Sequence, residues 1–115
     1  MATLITHLIT VNRDEEVLAT VQAGVDRLGI TNAGITLIGA VQTATVSIMH
    51  KDDPLVDRLR HYDQPLELSG TGEVADGKVH LHVTLYGEDV TVGGHLHDAT
   101  VQDFFVRAYI SPVSG

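Results

Sequence analysis

Residues 79–86 constrain the fold most, because their side chains alternate between apolar and polar with a period of two. One parity holds Val79, Leu81, Val83 and Leu85, and the other holds His80, His82, Thr84 and Tyr86. Such alternation predicts a β-strand that buries one face and exposes the other. The Asp76-Gly77 pair just before it predicts a tight hairpin turn. We therefore expect an antiparallel sheet around this strand.

One amphipathic helix is predicted over residues 14–28. Its apolar residues recur at helical spacing, namely Val17, Leu18, Val21, Val25 and Leu28. Asn12 is expected to cap the helix, with Glu15 completing a capping box. Gly29 is expected to end the helix in the left-handed conformation.

The remaining apolar segments favour strands. Residues 4–11 carry apolar side chains in both registers, which indicates a strand buried on both sides. Residues 33–49 are rich in Ile, Val and Thr and predict two strands, or one strand bent at Gly39. The last strand is predicted over residues 100–110, with Phe104 among its apolar residues.

Two segments in the middle of the chain are less regular. Residues 55–62, after a predicted loop at 50–54, fit either a short helix or an edge strand. Residues 66–74 alternate weakly, with Gly70 and Gly72 as candidate β-bulges. Together the segments predict a single α+β domain over residues 1–115, a compact and mostly antiparallel sheet with one main helix.

Charge and composition disfavour several function classes. Seven Lys and Arg stand against fifteen Asp and Glu, a formal net charge of −8, and only Arg58 and Arg60 lie close together. Direct nucleic-acid binding is therefore disfavoured. The absence of cysteine excludes disulfides and thiolate ligands. No apolar run approaches the roughly 18 residues of a membrane span, and the first residues lack a signal-peptide pattern, so a cytoplasmic location is expected.

Histidine is over-represented in one part of the chain. His80 and His82 lie on the same face of the predicted strand, with Cα atoms about 6.6 Å apart. His95 follows Gly93-Gly94 on the next candidate strand, where a hairpin would bring it alongside them. Three imidazoles predict a divalent metal site with an open fourth position, the arrangement of catalytic zinc sites.

Other interpretations of these residues stay open. His80 and His82 also fit the solvent face of a half-buried strand, and clustered histidines fit a pH switch. His97 fits a fourth ligand, a neighbour of the site or a surface residue. Four carboxylates are candidates for a general acid or base, and nothing in the sequence selects among them: Glu67, Glu73, Asp98 and Asp103. No nucleophile motif or phosphate-binding loop is present.

Two motifs carry a family resemblance. Residues 77–85 (GKVHLHVTL) and 92–96 (VGGHL) resemble the V-H-L-H and G-G-H-L motifs of the plants-and-prokaryotes conserved (PPC) domain, prokaryotic branch. Softer likenesses extend over residues 3–112, including the helix opening DEEV at 14–17 and the glycine-containing segment IGA at 38–40.

The resemblance implies a compact α+β fold that assembles as a homotrimer. It also implies a distant fold relation to acetolactate decarboxylase, a zinc enzyme that takes its ligands from an H-x-H pair and a later histidine. Carried over to this chain, those ligands are His80, His82 and His95. The plant branch of the family joins the domain to DNA-binding AT-hook segments, and this sequence has none.

Two functions follow as hypotheses. The first is a homotrimeric protein whose three histidines hold zinc or another divalent transition metal, with an open position for water or a small carbonyl or carboxylate ligand. The second is a non-catalytic trimeric interaction or regulatory module, DNA-associated as in the plant branch. The residues do not decide whether the protein is an enzyme, and they select no substrate.

Overall fold

A computed structural model describes residues 5–114, so Leu4 of the predicted first strand lies outside the described residues. The elements along the chain are β1 (His7–Val11), α1 (Val17–Leu28), β2 (Asn32–His50), β3 (Asp53–Ala75), β4 (Lys78–Tyr86), β5 (Thr91–Thr100) and β6 (Val106–Pro112). Within this range the fold is α+β, one helix with an antiparallel six-stranded sheet, as predicted. No helix among residues 5–114 has the length and apolar character to cross a membrane.

The sheet folds back on itself through its longest strands. Its order is β1-β6-β2-β3-β4-β5, and β2 also pairs with β5. One edge of β2 bonds to β6 over residues 33–39 and to β5 over residues 43–47. The strands β2, β3, β4 and β5 therefore close a ring, and α1 packs against β1, β4 and β5. Buried Val and Leu side chains from the strands and the helix form one core.

Strand β4 has the predicted orientation. Leu81, Val83 and Leu85 are buried, while His80 and His82 are exposed on the opposite face. The turn before the strand is formed by Asp76 and Gly77, both with positive φ angles of 50° and 78°. Positive φ at both central residues is the geometry of a two-residue type I′ hairpin turn.

The helix begins three residues later than predicted, and Asn12 is not its cap. Glu16 caps α1 instead, because its carboxylate accepts hydrogen bonds from the N–H groups of residues 18 and 19. The residues before it bond to the chain after β5: Asp14 N–H donates to Val101 O at 2.7 Å, and Val101 N–H donates to Glu15 O. Those bonds hold residues 14–16 out of the helical conformation. Gly29 ends the helix with φ 67°, as predicted.

Residues 33–49 form one strand, not two. The pairing of β2 with β3 shifts register between Val41 and Thr43 and again between Met49 and His50, but not at Gly39. The next segment is also strand, because residues 55–62 extend β3 and pair with β2. This pairing makes an exposed ribbon, residues 48–61, which we call the arm. The bulges expected at Gly70 and Gly72 are absent, since both glycines pair in regular register with β4.

The predicted last strand is wrong over its first half. Strand β5 runs to Thr100, the chain then leaves the sheet, and β6 begins only at Val106. The side chain of Gln42 holds this connection, because its Oε1 accepts the N–H groups of residues 102 and 103. Phe104, expected in the core, has φ 76° and is 76% exposed.

Strand β1 is buried on one face only, which corrects the expectation of two buried faces. Ile9 and Val11 lie in the core, whereas Leu8, which precedes Ile9, is 53% exposed. The reason is the position of β1 at the end of the sheet order, where α1 covers one side of the strand.

Candidate metal centre

The three histidines of the two sequence motifs lie together on the outer face of the sheet. His82 and His95 are direct cross-strand partners in the β4–β5 pairing, and His80 precedes His82 by two residues on the same face. Ring centroids are 4.9 Å apart for His80 and His82, 4.6 Å for His80 and His95, and 5.9 Å for His82 and His95. One ligand nitrogen from each ring lies within 4.8 Å of the other two.

His95 occupies the point where β5 passes from one neighbour to the other. It pairs with His82 of β4 and also with Ser47 of β2. Gly94 makes this double pairing sterically feasible, since a Cβ atom there would lie 2.5 Å from the Ser47 carbonyl oxygen. The close backbone approach expected at the glycine pair is therefore present. A sharp turn is not, because both glycines lie inside β5.

The environment of His95 favours its neutral form. Burial lowers the pKa of His95, and electrostatic interaction with the neighbouring imidazoles of His80, His97 and His82 lowers it further, while Asp57 opposes the shift. Its Nδ1 atom is buried and has no hydrogen-bond partner among the described residues. A neutral imidazole is the form that ligates a metal, and an unpartnered buried nitrogen is uncommon in a folded protein.

The donor set fits a transition-metal ion. In a tetrahedral site with Zn–N bonds of 2.0–2.1 Å, ligand nitrogens lie about 3.3 Å apart. The ligand nitrogens lie within 4.8 Å of one another, so a tetrahedral ion would have to draw them closer, and the exposed side chains of His80 and His82 are able to rotate. A cation here would also interact with the buried nitrogen that has no protein partner.

His97 does not belong to the converging group. Its Nε2 atom makes a hydrogen bond of 2.8 Å with Ser47 Oγ, and Ser47 is buried. The β2–β5 register shifts at this point, with Thr45 opposite Asp98 and Val46 opposite Leu96, which leaves His97 as the extra residue. Its ring still lies 4.9 Å from that of His95, so it is a neighbour of the site.

The four candidate carboxylates are dispersed. Glu73 pairs with His80 across the β3–β4 ladder and is the nearest by register. Glu67 pairs with Tyr86 at the far end of the same ladder. Asp98 pairs with Thr45, and Asp103 lies in the connection to β6. None of the four lines the cavity beside the histidines.

An open cavity of about 480 Å³ adjoins the three rings. It is lined by Ser47, Ile48, Met49, Asp57, His80, His82, Gly93, Gly94 and His95. The sequence analysis missed Asp57, which comes from the arm. A tight turn at residues 51–52 pairs His50 with Asp53, and the register shift between Met49 and His50 then brings Asp57 opposite Met49. No feature of the sequence indicated that shift.

Comparison with known proteins agrees with this fold. The family model for the Plants and Prokaryotes Conserved (PCC) domain matches residues 1–113. No curated protein is significantly similar to the chain in sequence.

Several solved structures share the fold. A plant- and prokaryote-conserved protein of Pyrococcus horikoshii superposes with a TM-score of 0.84 at 28% identity, over 100% of this chain and 83% of that one. A metal-containing protein of Archaeoglobus fulgidus gives a TM-score of 0.81 at 26% identity, over 100% and 87%. A Ralstonia eutropha protein provisionally named as DNA-binding gives 0.79 at 22% identity, over 92% and 76%, which shows the fold alone.

Proposed function

We propose that this chain, which belongs to the Plants and Prokaryotes Conserved domain family, binds one divalent transition-metal ion through His80, His82 and His95. One observation carries the proposal: three imidazoles from two neighbouring strands present ligand nitrogens within 4.8 Å of one another. An exposed histidine needs no partner, but three that converge on one point repel each other when protonated. A shared cation is the arrangement that makes their convergence favourable.

Zinc is the ion we favour. Imidazole suits zinc, copper, iron and nickel, and a set of three histidines with an open position is common for zinc. The metal content of the Archaeoglobus fulgidus protein, which is 26% identical, supports a metal here. When bound, such an ion supplies a Lewis acid.

The chain's own residues define what reaches the open side of the site. Besides the histidines, the cavity is lined by the apolar residues Ile48 and Met49 and by Gly93 and Gly94. A volume of about 480 Å³ admits a small organic molecule. We propose a small oxygen-bearing ligand, a carbonyl or carboxylate compound, at this position.

We further propose that the protein is a homotrimer. The arm supports assembly, because it exposes apolar side chains that a lone chain leaves in water: Leu55 is 93% exposed and Leu59 is 63% exposed. The outer edge of β3 over residues 53–63 has no strand partner among the described residues, so a second copy is able to pair there. Light scattering after gel filtration should give the mass of three chains. A monomer at micromolar concentration would contradict the proposal.

Elemental analysis of tag-free protein tests the metal site. Wild type should carry about one zinc or other transition-metal ion per chain, and His82→Ala should lose it. His7→Ala is the matched control, because His7 lies on β1 and pairs with Ile110, away from the cluster. Wild-type protein that holds no metal and takes none up from solution would refute the proposal.

The second candidate is a non-catalytic trimeric interaction module, and one version of this hypothesis has the module associate with DNA. Lys51, Arg58 and Arg60 lie together around a surface pocket of the arm, which gives an otherwise acidic chain one basic patch. A duplex-DNA mobility shift that weakens with salt would support it. Retention of trimer and partner binding in a metal-free His82→Ala protein would favour the interaction module over the metal protein.

A further inference from the structure

Asp57 is placed beside the histidine cluster by the strand register. It pairs with Met49 across the β2–β3 ladder, and His95 pairs with Ser47 across the β2–β5 ladder. Met49 and Ser47 are two residues apart in β2 and so share a face. Asp57 and His95 therefore flank this face of β2 from its two edges, and both line the cavity.

The charge of Asp57 has no counter-ion in this cavity. Among the described residues lining it, Asp57 is the one acidic side chain, and none is Lys or Arg. Asp57 makes no salt bridge within residues 5–114. Its neighbour Arg58 alternates to the other face of the arm, where it lines a different pocket with Arg60.

An uncompensated carboxylate at the open side of a cationic site has three effects. It attracts the metal ion, and it repels any ligand that brings a negative charge into the same small volume. It also accepts a hydrogen bond from a hydroxyl group on a neutral ligand, and hydrogen bonds to an ionised acceptor are the stronger kind.

We propose that Asp57 is a specificity-determining residue, which makes the cavity select neutral hydroxy-carbonyl compounds over carboxylates. The inference deepens the proposed function and rests on it, because the ligand is held at the open position of the three-histidine site. Of the two ligand classes proposed above, carbonyl and carboxylate, Asp57 favours the first.

Ligand titrations of metal-loaded protein test this selectivity. Tag-free protein is loaded with Co(II), whose visible absorption changes when its open position exchanges ligand. It is then titrated with acetate and with hydroxyacetone, a neutral hydroxy-ketone. Asp57→Asn keeps the size of the side chain and removes its charge, and it should bind acetate about tenfold more tightly than wild type. Its affinity for hydroxyacetone should not increase.

Asp63→Asn is the matched control. It removes the same charge from the same face of the same strand, six residues and about 20 Å further along. This variant should bind both ligands as wild type does. Asp57→Ser, which also removes the charge, should reproduce the gain in acetate affinity. Cobalt uptake equal to that of wild type would exclude loss of folding as the explanation.

The possible outcomes test the metal site and the role of Asp57 separately. If wild type takes up no cobalt, the proposed metal site fails before any ligand is added. If cobalt binds to all the proteins and Asp57→Asn binds acetate with wild-type affinity, the metal site stands and the role of Asp57 is refuted. A gain in acetate affinity that Asp63→Asn shares would equally refute it, since it would reflect net charge.

Discussion

Replacement of Gly94 by alanine is expected to damage both the fold and the metal site. A Cβ atom at this position would lie 2.5 Å from the carbonyl oxygen of Ser47 and 3.3 Å from Cγ1 of Ile48. The nearer contact is with backbone, which has no rotamer to change. Strand β5 must therefore move away from β2 at the residue that precedes His95.

The size of the effect follows from the distance. Ordinary contacts of a Cβ atom begin near 3.4 Å, so 2.5 Å requires a shift of about 0.9 Å between two bonded strands. Overpacking of this kind costs about 1–3 kcal/mol. For a domain of 115 residues each kcal/mol lowers Tm by roughly 4 °C, so Gly94→Ala should lose about 4–12 °C. A displacement near 1 Å at His95 should also weaken metal binding.

Thermal unfolding followed by circular dichroism, with and without chelator, measures the loss of stability. Gly34→Ala is the control, because Gly34 also lies within a strand and a Cβ atom there would meet nothing within 4 Å. The control should match wild type or exceed it slightly, since alanine restricts the unfolded chain. Equal Tm values and equal zinc content for the two variants would show that the approach of β5 to β2 at Gly94 does not govern the site.

Three further predictions concern the core, the helix cap and pH. Leu81→Ala should lower the free energy of unfolding by about 2–5 kcal/mol in urea titrations because Leu81 is fully buried, whereas Val113→Ala, at an exposed position outside the arm, should change it by less than about 0.5 kcal/mol. Glu16→Ala should cost about 1–2 kcal/mol, because its carboxylate caps α1 and also accepts the Ala99 N–H. The pKa of His95 is lower in the folded protein than in the unfolded chain, so as pH falls His95 is protonated first in the unfolded chain. The free energy of unfolding of metal-free protein should therefore decrease as pH falls below about 6.5. His95→Gln should flatten that part of the pH profile, and an unchanged slope would contradict the assignment.

The elements predicted correctly from the sequence are amphipathic, with apolar and polar side chains on separate faces. Strand β4 separates apolar from polar residues by parity, and its face, its turn and its length were all predicted to within a residue. The body of α1 was predicted for the same reason, from its apolar stripe at helical spacing. Its start was not, because bonds between residues 14–15 and Val101 replaced the local capping signal. Those bonds join residues more than eighty positions apart, and no local pattern encodes them.

Segments outside the core were harder to predict. The arm has no buried face over residues 51–61. Its side chains therefore show no alternation of apolar and polar residues that would identify a strand, and a short helix fitted the sequence equally well. For Phe104 the hydrophobic signal was present but wrong. Its apolar side chain predicted burial, and the structure exposes it. Exposed aromatic residues are common on surfaces that meet a partner, which agrees with the proposed trimer.

The same contrast explains which part of the candidate site the sequence could predict. His80, His82 and His95 lie in or beside the most regular strands, so counting residues along β4 and across one turn was enough to bring them together. Asp57 reaches the cavity only because β2 is long enough to bond β5 on one edge and β3 on the other at the same place. That double pairing closes the ring, and it also assembles a cavity in which the three histidines and the charged Asp57 come from different strands. A site of this kind depends on the register of two ladders at once, so a slip of one residue in either ladder would turn Asp57 or His95 to the opposite face.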